Sequence, residues 1–172
     1  MILSVLTLLM TAVWMDLKTD RISNRLILFG LFLGLPYQIL LNGARGILVF
    51  LLNGCVPILL FFLFYRIKAL GAGDIKLLSV LGVFLDKDTY FRTIMYIFAT
   101  AAVIGVTRLL IRGVLFKRLC VLGRYAYGAY RTGCLNVYGS GEAETDYWEN
   151  RIHFSVAILL GYLISMGRCL FA

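Results

Sequence analysis

Long apolar runs separated by short polar breaks dominate the chain. The first, Met1 to Met15, is interrupted only by Ser4, Thr7 and Thr11. The second is Leu26 to Leu41, with Pro36 and Gln38 marking its far end and Asn42-Gly43-Ala44-Arg45 a tight turn beyond it. Gly46 to Tyr65 is apolar apart from Asn53, and Ile75 to Leu85 apart from Lys76 and Ser79. Tyr90 to Ile111 and Ile152 to Phe171 complete the set. Several of these runs approach the roughly 20 residues a helix needs to cross a bilayer. They are continuous rather than alternating, which argues against a transmembrane β-barrel. The pattern predicts an all-α, polytopic membrane protein: a six-transmembrane-helix bundle, with residues 1–172 forming one membrane-embedded domain. The fourth run is short. At about 1.5 Å per residue it reaches only about 16 Å, half a bilayer. Either its helix continues past Asp86-Lys87-Asp88 or the membrane thins there.

Composition agrees and narrows the class. Hydrophobic residues make up 61% of the chain and charged residues 15%, with a mean hydropathy of +0.89. An average soluble domain is only about 45–50% apolar, and this length leaves no room for a sizeable soluble domain beside the bundle. A net charge of +8 would point to nucleic acid in a soluble protein. Here it reports topology, because Lys and Arg collect in cytoplasmic loops. Lys18, Arg21, Arg25, Arg66, Lys68, Lys76, Arg108 and the basic residues from Arg112 to Arg151 fall on one side, against Arg45, Lys87, Arg92 and Arg168 on the other. The bias places loops 16–25, 66–74 and 112–151 in the cytoplasm and both termini outside. Met1 to Met15 reads as a membrane helix ending at Asp16, since no basic segment precedes it and no small-residue cleavage site follows. Cys55, Cys120, Cys134 and Cys169 form no CxxC, so they supply neither a zinc signature nor a disulfide framework.

Two aspartates stand out against this background. Asp74 lies in Gly71-Ala72-Gly73-Asp74-Ile75-Lys76, a charged turn between two apolar runs. Gly71 and Gly73 let the backbone turn sharply or approach another chain closely. An ionisable residue at the edge of hydrocarbon is expensive and marks a functional candidate; the plainer role for Asp74 is an N-cap of the fourth helix. Two helices separate the Asp16 loop from the Asp74 turn, and an even number of crossings returns the chain to the same face. Asp16 and Asp74 are therefore expected at one membrane depth. If the first and fourth helices pack together, the carboxylates can meet and share a proton. One then serves as general base toward a water and the other as general acid. Asp20 is a rival to Asp16 in the same loop.

Three stretches together resemble the type IV prepilin peptidase family, membrane aspartyl proteases with a GxGD motif. Asp16 is followed by Ile22-Ser23-Asn24, similar to the family's D-x5-I-P-N. Gly71-Ala72-Gly73-Asp74-Ile75-Lys76-Leu77 is similar to its G-x-G-D-x-K-L, and Ile152-His153-Phe154-Ser155 resembles its I-P-F segment before a last apolar helix. The resemblance implies a GxGD aspartyl protease fold, with Asp16 and Asp74 as the catalytic pair and Asp16 preferred over Asp20 by its spacing to Asn24. Gly71, Gly73, Lys76 and Asn24 would support the loop. It implies cleavage of a short basic leader from pilin-like precursors at the cytoplasmic face, with no metal or organic cofactor. Ser23 and His153 replace prolines of the family pattern, which relaxes the backbone but removes no catalytic group. With no CxxC pair and no domain ahead of the first helix, the chain looks most like short members serving tight-adherence pili, or preflagellin peptidases. Peptidase activity without N-methyltransferase activity is expected.

Other residues carry weaker signals. Lys76 either stabilises a carboxylate, holds the loop or snorkels to the interface. His153 either touches the site or satisfies the interface at a helix start. Segment 112–151 has a basic half studded with Tyr125, Tyr127, Tyr130 and Tyr138, which beside a membrane fits anionic lipid headgroups better than nucleic acid. Its acidic half holds Glu142, Glu144, Asp146 and Glu149, candidates to attract a basic leader. The competing function is a scaffold or proton-coupled transporter using the two aspartates as a relay, although no internal repeat of the transporter kind is visible. A presenilin-like relative would share the GxGD turn but place its partner aspartate in a Tyr-Asp helix, which is absent here.

Overall fold

A computed structural model of the chain describes residues 2–67, 70–111, 113, 120, 123, 127, 128, 131 and 153–171. Six α-helices are described from end to end. They are α1 (Ile2–Thr19), α2 (Asn24–Asn42), α3 (Gly46–Arg66), α4 (Ala72–Phe84), α5 (Lys87–Ile111) and α6 (Phe154–Phe171), with a 3-10 turn, Gly43–Arg45, joining α2 to α3. No strand occurs among the described residues. Among the described residues, three helical stretches are long and apolar enough to cross a membrane: α1, the α2–α3 run Asn24–Arg66, and α5. The outer faces of α2 and α3 leave Leu28, Phe32, Leu40, Leu48, Leu52, Leu59 and Leu63 exposed. A surface so continuously apolar is what hydrocarbon solvates, and the backbone groups beneath it are satisfied within the helices. The chain is a membrane protein.

α4 is the centre of the bundle. Ile75 and every residue from Leu77 to Phe84 are buried, as expected of a helix that is apolar all round. It packs chiefly on α2 and α3, while α5 pairs with α6 and α1 with α6. Leu8 of α1 and Val80 of α4 close on Gly30 of α2, where an added Cβ would lie 2.6 and 2.8 Å from their methyls. α5 and α6 approach as closely at Gly161, where a Cβ would fall 2.6 Å from the Ile97 backbone. A buried hydrogen bond from Thr93 to Ser165, 2.7 Å long, ties the same pair.

α4 does not continue past Asp86. Its helix stops at Phe84, and α5 starts at Lys87. Asp86 ends the gap by capping α5: its Oδ2 accepts from the Thr89 amide at 3.1 Å, which holds the Asp86 carboxyl below the usual carboxylate range. Thirteen residues span about 20 Å. Protein encloses α4, so its length need not match the hydrocarbon thickness.

Two helix boundaries differ from the sequence expectation. α1 runs on to Thr19, so Asp16 sits inside its last turn rather than ending it. Nothing in Leu17-Lys18-Thr19 breaks a helix. The turn is closed by Asp20 N–H to Asp16 O (2.9 Å) and Thr19 Oγ1 to Met15 O (2.8 Å). Asp20 then stops it with φ +52°, the left-handed position that usually holds glycine. α2 begins at Asn24, with Ser23 as N-cap accepting from the Arg25 amide at 3.2 Å. It runs through Pro36 and Gln38 to Asn42. Gln38 is buried inside because its Nε2 donates to the Val83 carbonyl at the end of α4, while Asn42 Nδ2 donates to Gln38 Oε1 at 2.8 Å.

Candidate active site

The end of α1 and the starts of α2, α4 and α6 meet at one end of the bundle. Asp16, on the last turn of α1, accepts a hydrogen bond on Oδ2 from Ser155 Oγ of α6 at 2.6 Å. His153 Nδ1, at the residue preceding α6, lies 3.3 Å from the same oxygen. A carboxylate only accepts, so this contact is a hydrogen bond when Nδ1 carries its proton. Asp20 Oδ1 lies 3.9 Å from the same Nδ1. The Asp16 side chain is 14% exposed, against 65% for Asp20. The structure thus sets Asp16 in the joint between helices and Asp20 at its rim.

Asp74 stands in the first turn of α4, whose N-cap is Gly71. It is therefore not itself the cap. Its carboxylate bends back over Gly71, where a Cβ would lie 2.9 Å from Asp74 Oδ2. Gly73 is covered by Ile22, where a Cβ would sit 3.2 Å from the Ile22 Cβ. Neither glycine has positive φ. Of the two roles open to them, the structure selects close approach rather than an unusual turn.

The two aspartate motifs are joined through the α1–α2 connection. Ile22 lies on Gly73, and Lys76 Nζ donates to Asn24 Oδ1 at 2.9 Å. Lys76 therefore holds the start of α2, one of the roles the sequence left open. This link between Asp16 and Asp74 is indirect: α1 packs on α6 and α2 rather than chiefly on α4. The sequence leaves His153 open between touching the site and satisfying the interface, and names Ser155 only as part of the Ile152–Ser155 segment. Both turn out to touch Asp16. The only sequence signal was their place in the Ile152–Ser155 segment, since nothing local connects them to a carboxylate 137 residues earlier.

Glu142, Glu144, Asp146 and Glu149 lie outside the described residues. In the basic half of that segment, Arg131 lies over the Tyr127 ring, 6.0 Å from its centroid. Among the described residues, no group of three or more His, Cys, Asp or Glu is arranged to hold a metal. A cavity of about 480 Å³ lined by Tyr37, Gln38, Asn53, Phe84 and Asp86 sits at the opposite end of α4 from the aspartates. It is therefore not part of this site.

The described residues form a helical membrane protein with the Asp16 and Asp74 motifs at one end of the bundle. Residues 3–110 match the model of the type IV leader peptidase family, more than half of the chain, and the chain belongs to that family. It is a type IV leader peptidase-like protease at that level. Neither a curated protein nor a solved structure matches the chain. The matched segment contains Asp16, Asn24, Gly71, Gly73, Asp74 and Lys76, whereas His153 and Ser155 lie beyond it.

Proposed function

We propose that the protein is an aspartic endopeptidase that removes the short basic leader of type IV prepilin-like precursors at the cytoplasmic membrane face, with Asp16 and Asp74 as its catalytic pair. The α1–α2 connection carries this assignment: with Ile22 on Gly73 and Asn24 on Lys76, the two aspartate motifs belong to one end of the bundle. One carboxylate takes a proton from water as the water attacks the scissile carbonyl. The other gives a proton to the leaving nitrogen. A pair sharing one proton suits both tasks, because neighbouring carboxylates do not both ionise readily.

In this reading all six helices belong to a GxGD-type membrane bundle, with segments 16–25, 66–74 and 112–151, which include the helix ends at Asp16–Thr19 and Ala72–Asp74, on the cytoplasmic side. The Lys and Arg bias supports that side. Glu142, Glu144, Asp146 and Glu149 draw the basic leader toward the site, and anionic lipid meets the basic half of the same loop. The product is expected without N-methylation.

The test is co-expression with a prepilin-like precursor from the same genome, comparing wild type with Asp16→Asn and Asp74→Asn. Wild type should shorten the precursor, and the mass of the product should show a free, unmethylated amine. Each variant should lose cleavage while remaining in the membrane at wild-type levels. Cleavage by Asp16→Asn would move the partner role to Asp20 or another carboxylate. Failure of wild type to cut any such precursor would favour a scaffold or transporter.

A further inference from the structure

Resting on that catalytic pair, the geometry points to a positioning chain for Asp16: we infer that Ser155 and His153 fix its carboxylate, and that Asp20 in turn steadies His153. Ser155 is fully buried, and its hydroxyl donates to Asp16 Oδ2 at 2.6 Å. His153 Nδ1 reaches the same oxygen at 3.3 Å. Both described donors act on Oδ2, and the inference gives Oδ1 to the attacking water. A carboxylate at a helix end has free rotation unless something holds it. Two donors from another helix remove that freedom, and near-attack geometry is sensitive to displacements of about 1 Å, which cost on the order of a hundredfold in rate.

Asp20 adds an independent observation. It is the one non-glycine residue with positive φ among the described residues, at +52°. Glycine would occupy that backbone position with less strain. The strained residue instead sets a carboxylate 3.9 Å from His153 Nδ1. Retained strain of this kind points to a role for the side chain. Its 65% exposure makes the expected effect small, because solvent screens the pair. The charged residues that the helix order puts at this end, among those described, include Lys18 on α1, Arg21 beyond it, Arg25 on α2, Arg66 at the end of α3, Asp74 and Lys76 on α4, and Arg108 in the last turn of α5.

The experiment uses the full chain purified in detergent and a synthetic peptide spanning a basic leader and the first apolar residues of a pilin-like precursor. Ser155→Ala and His153→Ala should each lower kcat about ten- to a hundredfold with KM unchanged. His153→Asn keeps an amide donor near the place of Nδ1 and should recover much of the loss. Asp20→Gly should lower kcat a few-fold on the order expected of an exposed pair, while the unfolding temperature holds or rises as backbone strain is relieved. A structural role would do the opposite, lowering the unfolding temperature and leaving kcat alone. Unchanged kcat in Ser155→Ala, or a loss confined to KM, would overturn the inference. So would a His153→Asn variant no better than His153→Ala. Asp16→Asn, assayed alongside, separates the two levels: activity in Asp16→Asn defeats the catalytic pair itself, whereas an inactive Asp16→Asn with an unaffected Ser155→Ala defeats only the positioning chain.

Discussion

The two ends of α4 carry polar groups to different purposes. At its C-terminal end these groups are committed to the bundle: Gln38 to the Val83 carbonyl, Asn42 to Gln38, and Asp86 to the Thr89 amide. At its N-terminal end, Asp74 folds over Gly71 and Lys76 reaches Asn24, while Asp16 and His153, at the same end of the bundle, have side chains 14% and 27% exposed. One helix thus has an end whose hydrogen bonds tie up backbone and amide groups, and an end where titratable side chains from α1, α4 and the start of α6 remain reachable. The polar groups at the C-terminal end are each tied to a fixed partner in the fold, even where, like Asn42 and Asp86, they are exposed. Polar groups that do chemistry need both support and access, and stability is commonly conceded where they gather.

Substitutions should separate the two ends cleanly. Gly71→Val places side-chain atoms where the Asp74 carboxylate now lies, 2.9 Å from a Cβ. It should reduce peptide cleavage by on the order of a hundredfold with little change in unfolding temperature; a large fall in stability with normal activity would erase the distinction between the ends. Gln38→Leu does the reverse. It strands the Val83 carbonyl and the Asn42 amide, and should destabilise the protein by about 1–3 kcal/mol, read by unfolding in detergent, with kcat unaltered.

Asp86→Ala removes the cap of α5 and should cost about 1 kcal/mol at neutral pH. The folded carboxyl of Asp86 lies below its ordinary range because the Thr89 amide bonds its charged form. Its contribution is therefore complete above the unfolded value and disappears as pH falls through the folded one. Stability curves of wild type and Asp86→Ala should converge in acid; a gap that widened in acid would refute the cap. The smallest effect belongs to Lys76→Met. Its hydrogen bond to Asn24 is exposed, so a loss on the order of 0.5 kcal/mol, or about twofold in cleavage, is expected. A hundredfold loss would instead give Lys76 a direct part in the chemistry.

Much of this plan was readable in the chain because membrane helices announce themselves by continuous apolar runs and their turns by charge and glycine. The turn at Asn42–Arg45, the GxGD turn and the break at Asp86 all fall where polar residues interrupt those runs. Asp16 was misjudged as a helix end because polarity reports contact with water, and a helix can pass into water without stopping. What stops α1 is the left-handed Asp20, which no local composition rule identifies. Gln38 looked like the mark of a helix end, yet it is buried because its partner is a carbonyl 45 residues away. Which carboxylate His153 and Ser155 reach is hidden in the sequence for the same reason, although contact with the site is one of the two roles it leaves to His153. They join the first helix to the last, and only the assembled bundle brings them together.

In the proposed mechanism Asp16 and Asp74 act as a unit, which a double-mutant comparison puts to the sharpest test. Purified wild type, Asp16→Asn, Asp74→Asn and the double variant would be assayed on one prepilin-like peptide. If the carboxylates share one proton and one water, either substitution alone should remove as much activity as both together, because groups that act as a unit are grossly non-additive. All three variants would then fall to the same floor, by a factor on the order of 10²–10⁴ or more. A double variant far below either single one, with the losses multiplying, would show two independent contributions and contradict the pair.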